Sequence, residues 1–380
     1  MSKTQLLSMV LLVLNLCLYG DSWGRNADGT LGIIYYPIST NSGIVVPGGV
    51  MEVKLISETP LSDIRLELFR KDETIKLFES QPGVEFRPSG RLTFGLPTKR
   101  LPEVDWQMNW SCRPREYRRD MVRIQLTLPA DIPEGFYGLR VYTNVGSDTS
   151  LRAVRVLKEW AKSYQFCHIT DIHIGSTRVL GAQVAFQKVV QHINSIKPMF
   201  VLVTGDNVDT PAPESFVKFL SILDELDVPS FVIPGNHDSY GFLRHGKVDV
   251  LSYLGAPYYS LRFGQHYYLA IDGATQKFDD VQRLFIADDI HRNERASFKC
   301  IFNHGMAYQD DQELSWMTTM LKTTGPNLYV TGHRHTNVIE LTGDGRTVSV
   351  CSAPVYSRQG CFSVITVENN EVKSIRRIVD

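Results

Sequence analysis

Five short segments offer aspartate, asparagine or histidine within a few residues of one another: Asp171-Ile172-His173, Gly205-Asp206-Asn207-Val208-Asp209, Gly235-Asn236-His237-Asp238, Asn303-His304-Gly305 and Gly332-His333-Arg334-His335. Each alone is weak, since asparagine and aspartate beside glycine also serve ordinary turns. Together they mix carboxylates, imidazoles and carboxamides, with no thiolate in any segment. That donor set suits hard or borderline ions such as manganese, iron, zinc or nickel, and not a cysteine-zinc or copper-thiolate site. Two ions held close together need a bridging carboxylate, a role that suits the aspartate after Gly205. Gly205, Gly235 and Gly332 are expected to turn the backbone sharply, so that the next side chain enters the crevice.

Such residues act together only if the fold gathers them. Apolar, strand-like runs precede all five segments: Gln165 to Thr170, Phe200 to Thr204, Pro229 to Pro234, Phe298 to Phe302 and Leu328 to Thr331. Helical periodicity separates several of them. Val184, Val189, Val190, Ile193 and Ile196 line one side before Pro198, and Phe216, Phe219, Leu220 and Leu223 recur at helical spacing after Pro213-Glu214. Further helices are predicted from about Asp279 to His291 and around Glu313 to Leu321. The alternation calls for parallel strands joined by right-handed crossovers. In such sheets the ligand crevice lies at the carboxyl ends of the strands, which brings all five segments to one rim. Tyr258 to Phe263 and His266 to Ile271 read as a strand pair. The tail from Asn337 to Ile378 reads as antiparallel strands with a turn at Gly343-Asp344-Gly345. His168 and His192 fall on a strand and a helix and are read as packed or surface residues. Arg244-His245, in the loop after the third segment, is a secondary candidate for substrate contact.

From Leu31 to about Leu157 short alternating runs, punctuated by glycine, proline and asparagine, suggest an immunoglobulin-like β-sandwich. Its polar stretch Thr98 to Asp120, with Trp106, Trp110, Arg113, Arg115, Arg118 and Arg119, reads as a solvated loop, the alternative being arginines that reach a phosphate. Asn109-Trp110-Ser111 fits an N-glycosylation acceptor. Residues 1–24 read as a signal peptide: Lys3, an apolar run from Leu6, then Ser22 and Gly24 before a cut at Arg25. The run is short for a membrane span, so the mature chain is expected to lack one and to be secreted, periplasmic or on the cell surface. A net charge of -1 gives no reason to expect nucleic-acid binding. Of the cysteines left after the leader, Cys112, Cys167, Cys300, Cys351 and Cys361, the last two could face each other across adjacent strands; an oxidising compartment permits that disulfide without demanding it.

On these five segments the stretch from about Gln165 to Asp380 resembles the calcineurin-like metallophosphoesterase family. The resemblance implies an α/β fold, a β-sandwich with flanking helices (αββα), over residues 164–380, preceded by the immunoglobulin-like domain at 30–158. It implies two divalent or trivalent metal ions. Asp171, His173 and His335 would hold one, Asn236, His304 and His333 the other, and Asp206 would bridge them. His237 would be a substrate-side acid oriented by Asp209. Purple acid phosphatases of the same superfamily have a tyrosine ligand and lack the first histidine; His173 and Asp209 argue against that branch. Thr210-Pro211 stands where protein phosphatases carry a phosphate-gripping arginine. The expectation is an exported, two-metal phosphoesterase acting more readily on a phosphodiester. Its small substrate would be a nucleotide, phospholipid headgroup or glycan phosphate. The alternatives are a phosphomonoesterase on the same site and a surface-binding protein with a vestigial one.

Overall fold

The computed structural model describes residues 29–71, 73–86, 90–92, 119–178, 181–239, 246–274, 278, 280–305, 311–342, 347–356 and 362–379. The leader, the arginine- and tryptophan-rich stretch up to Arg118, Arg244-His245, the turn at 343–345, Cys112 and Cys361 lie outside them.

Among the described residues nine strands precede residue 157: β1 (Ile34–Tyr36), β2 (Gly43–Val45), β3 (Val50–Ser57), β4 (Arg65–Arg70), β5 (Glu73–Glu79), β6 (Gly90–Leu92), β7 (Arg119–Thr127), β8 (Gly135–Thr143) and β9 (Gly146–Val156). They form a four-stranded sheet, β1-β3-β7-β6, and a five-stranded one, β2-β9-β8-β4-β5. Strand alternation places Met51, Val53 and Leu55 of β3, Leu66 and Leu68 of β4, and Tyr137, Leu139 and Val141 of β8 in one shared core.

The remainder is mixed α/β. One sheet has the order β12-β11-β10-β19-β20, the other β13-β14-β15-β16-β18-β17. The first uses β10 (Ser163–Ile169), β11 (Val201–Thr204), β12 (Ser230–Ile233), β19 (Phe362–Glu368) and β20 (Glu371–Ile378); the second uses β13 (Tyr259–Phe263), β14 (His266–Ala270), β15 (Phe298–Phe302), β16 (Leu328–Thr331), β17 (Val338–Leu341) and β18 (Val348–Cys351). The two sheets share a core of Phe166, Leu202, Phe231, Tyr268, Cys300, Phe302, Val330 and Val350. On the far side of the first sheet, Cys167, Val201 and Val232 meet the helices Ala182–Ile196 and Pro213–Leu223. On the far side of the second, Tyr267, Leu269, Ile301 and Tyr329 meet the helices Asp280–Arg292 and Asp311–Thr324. Successive residues of one strand thus feed different cores, which is why these runs are almost wholly apolar. The helix Ala182–Ile196 ends where Lys197 adopts the left-handed conformation and donates its N–H to Ile193 O, just before Pro198.

Sequence patterning missed the helix Gly246–Tyr253 and misread the tail. β17–β18 and β19–β20 are antiparallel, but β18 runs parallel to β16, and β19 crosses to the other sheet to pair with β10. A period of two identifies a strand; it does not choose its partner.

The two halves are sewn together. Thr40 O accepts Val232 N at 2.8 Å, and Ser42 N donates to Ser230 O at 3.3 Å, so residues 40–42 cover the edge of β12. Arg152 of β9 is buried and donates to Leu223 O at 3.1 Å, with Asp224 at 3.5 Å.

Candidate metal centre

Asp171 and His173 follow β10, Asp206 follows β11, Asn236 and His237 follow β12, His304 follows β15, and His333 and His335 follow β16. The site therefore spans the carboxyl ends of both sheets. Backbone bonds fix the segments to one another before any side chain is considered. His173 N donates to Asp206 O at 2.9 Å, and Gly332 N to His304 O at 2.8 Å.

Asp171, His173, Asp206, His333 and His335 have φ of 54°, 53°, 51°, 69° and 53°. This left-handed region costs a non-glycine residue roughly 1–2 kcal/mol. Of the three glycines expected to turn the chain, only Gly205 has positive φ, 88°. A Cβ on Gly235 would strike Asp206, and one on Gly332 would strike Thr170 Oγ1. The expectation is corrected accordingly: these two glycines provide clearance, and the potential ligands themselves carry most of the turns.

Ligand atoms of Asp171, His173, Asp206 and His335 lie within 4.8 Å of one another, and Asp206, His304 and His333 form a second such group. Asn236 belongs beside the second, its Oδ1 3.1 Å from His304 Nε2. Asp206 is common to both: its Oδ2 is 3.2 Å from His304 Nε2 and 3.7 Å from His173 Nε2. Its other oxygen accepts His237 N at 2.8 Å. Asp171 Oδ1 lies 3.2 Å from His335 Nε2.

The imidazoles are oriented from behind. His304 Nδ1 donates to Thr204 O at 2.7 Å, and His173 Nδ1 faces Asp209 Oδ1 at 3.2 Å. Their Nε2 atoms are left to face the cluster, as metal-binding imidazoles require. His173 Nε2 and His335 Nε2 are 3.4 Å apart, an approach that suits neutral rings converging on a cation. Burial, above all, lowers the basicity of His173 and His333, favouring the neutral form. Burial also works to raise the Asp206 carboxyl, but His304 and His237 outweigh it and hold it well below the usual carboxylate range. Conversely, burial would lower His304, yet Asp206 lifts it to about 9. Without an ion a proton occupies that gap, and a metal must displace it. The hydrogen bond with Asp171 raises His335. The residues present fit divalent ions.

His237 sits at the mouth, its side chain 23% exposed. Its Nδ1 donates to the backbone carbonyl of Asp209 at 2.8 Å, while the Asp209 carboxylate is 3.7 Å away and nearer His173. Arg334, between the two histidines of the last segment, is exposed. Asn303 is held by Tyr329 Oη and Gly305 O at 2.8 and 2.9 Å.

Sequence reading left Asp238 to turn chemistry. Fully buried, it accepts Gly235 N at 2.7 Å, Val208 N at 2.9 Å and Asn207 Nδ2 at 2.9 Å, locking the second segment to the third. Burial and then the Asp206 carboxylate push its carboxyl up to about 7, against the pull of those N–H donors. An aspartate three residues after the clearance glycine was the available signal. His168 and His192 stay outside the cluster, the latter packed on Phe362. Cys351 is a free buried thiol whose Sγ donates to Gly332 O at 3.3 Å.

A family model described as calcineurin-like phosphoesterase matches residues 164–337. A probable glycerophosphodiester phosphodiesterase of Arcobacter nitrofigilis is 37% identical over 82 residues, covering 19% of this chain and 29% of that protein. A 3',5'-cyclic adenosine monophosphate phosphodiesterase of Haemophilus influenzae is 35% identical over 77 residues, covering 18% and 28%. The chain thus spans less than a third of the length of these two relatives. The solved structure of a purple acid phosphatase from yellow lupin (Lupinus luteus) seeds is similar at a TM-score of 0.50 and 13% identity, over 87% of this chain and 72% of that one. That likeness is one of fold alone. Residues 164–337, the stretch that supplies every side chain of the centre, thus carry a calcineurin-like phosphoesterase domain.

Proposed function

We propose that this protein is an exported hydrolase that cleaves a phosphate ester, more readily a diester, with two metal ions. Asp171, His173 and His335 would hold one ion, Asn236, His304 and His333 the other, and Asp206 would bridge. The observation that carries this reading is the position of Asp206 Oδ2, shared by both ligand groups. Bound there, the ions would supply Lewis acidity toward phosphoryl oxygens and an acidified water. The chain's own part is to orient and to move a proton. With Nδ1 bonded to Asp209 O, His237 in its imidazolium form would carry a second proton on Nε2, 4.0 Å from Asp206 Oδ2, for a leaving-group oxygen to take. Two phosphodiesterases among the relatives support the diester preference.

The polar-apolar pattern of residues 1–24 supports export, and no helix among the described residues is long and apolar enough to cross a membrane. The paired sheets before residue 157 support an immunoglobulin-like domain at 30–158, ahead of the phosphoesterase domain at 164–380.

The test is to load the full chain with manganese, zinc, iron or nickel, measure bound metal, and assay bis(p-nitrophenyl) phosphate beside p-nitrophenyl phosphate. Two ions per chain and chelator-sensitive turnover that favours the diester are expected. Two bound ions with no turnover of either ester would instead favour a binding protein.

A further inference from the structure

The segment leaving β18 carries a residue that the five-segment reading passed over. Ser352 Oγ lies 2.8 Å from His168 Nδ1 and accepts Arg377 Nη1 at 2.9 Å. Ala353 N donates to Asn337 Oδ1 at 2.9 Å, and residues 351–355 are buried. The backbone that reaches Tyr356 is therefore anchored to β10, to β20 and to the segment just beyond His335. Tyr356 rests its ring against the core on the helix side of the first sheet. Its ring centroid stands 6.3 Å from that of His173 and 6.5 Å from that of His335, beside two residues of the first ligand group, of which the His335 side chain is 44% exposed. Among the described residues its hydroxyl has no hydrogen-bond partner.

We propose that Tyr356 is a substrate-binding residue whose phenolic hydroxyl donates a hydrogen bond to a phosphoryl oxygen seated against Asp171, His173 and His335. This rests on the phosphoesterase reading and deepens it. A tyrosine hydroxyl is a neutral donor at ordinary working pH. A neutral donor grips a phosphoryl oxygen without adding charge. It therefore gives no special advantage to the doubly charged monoester over the singly charged diester. Thr210-Pro211, directly after Asp209 in the chain, brings no cation either.

The experiment compares the metal-loaded full chain with its Tyr356→Phe variant. Inorganic phosphate is titrated by calorimetry, bound metal is measured, and bis(p-nitrophenyl) phosphate turnover is followed. Losing one hydrogen bond to a charged oxygen should weaken phosphate binding about tenfold and raise KM similarly, with kcat changing less. Metal stoichiometry and unfolding temperature should not move. Unchanged phosphate affinity overturns the proposal, as does loss of metal in the variant, which would make Tyr356 a support for the ligands. If the wild type holds two ions and binds phosphate but hydrolyses neither ester, the functional reading fails while the phosphate titration still decides Tyr356. A wild type that binds no phosphate overturns both.

Discussion

Asp209 serves two imidazoles through two different atoms. Its backbone carbonyl accepts a hydrogen bond from His237 Nδ1, and its carboxylate stands behind His173 Nδ1. A side-chain substitution separates the two roles. Asp209→Asn keeps the carbonyl and removes the charge behind a potential ligand, so metal affinity should fall about 10–100-fold with His237 still in place. His237→Ala should leave the ions bound and cost about 10²–10⁴-fold with an alkoxide leaving group, and much less with p-nitrophenolate. Metal titration of the first variant and a leaving-group series on the second check this. A D209N protein with unaltered metal affinity and the leaving-group profile of H237A would assign the carboxylate to His237 instead.

Strand β10 reaches the site with its charged end supported by a neutral histidine. His168 is fully buried, with Nε2 2.8 Å from Thr204 Oγ1 and Nδ1 2.8 Å from Ser352 Oγ. It thereby joins the end of β11 to the segment after β18. Burial, and secondarily the Arg377 guanidinium, push it down to about 3. The unfolded chain takes up a proton on this ring near pH 6.5, and the folded chain does not until about pH 3. Between those values the unfolded state binds more protons, so stability falls as pH falls, by up to about 1.4 kcal/mol per pH unit. Above pH 6.5 this residue contributes no slope. Denaturant unfolding of wild type and His168→Gln from pH 7.5 to 5 should show a flatter pH dependence in the variant. Equal slopes would place the acid sensitivity in other groups.

For the whole molecule, the edge of β12 and the buried Arg152 decide whether the phosphoesterase part can stand alone. Removing everything before residue 159 would expose the β12 edge now paired with Thr40 and Ser42, and would leave Leu223 O without its Arg152 donor. An exposed strand edge is a template for aggregation. A 159–380 fragment is therefore expected to be aggregated or markedly less stable than the full chain, read by size-exclusion chromatography and thermal unfolding. A monomeric fragment of full stability would make the N-terminal sheets an independent attachment.

What the sequence determined by itself was local and periodic. Strand runs ending in aspartate, asparagine or histidine marked where the rim lies, and alternation marked short N-terminal runs as strands. Side-chain chemistry also named a thiolate-free donor set. Tertiary structure decided what depends on distance between remote segments. It sent β19 and β18 to different sheets, drew the Asp209 carboxylate toward His173, buried Asp238 beneath two segments, and brought Tyr356 beside His173 and His335. A five-segment pattern cannot express these, because each is set by which backbones approach closely enough to exclude a Cβ or share a proton. The glycines illustrate the division. Their presence was legible, but only the packing of Gly332 on Thr170 and of Gly235 on Asp206 reveals that two of the three are there for space.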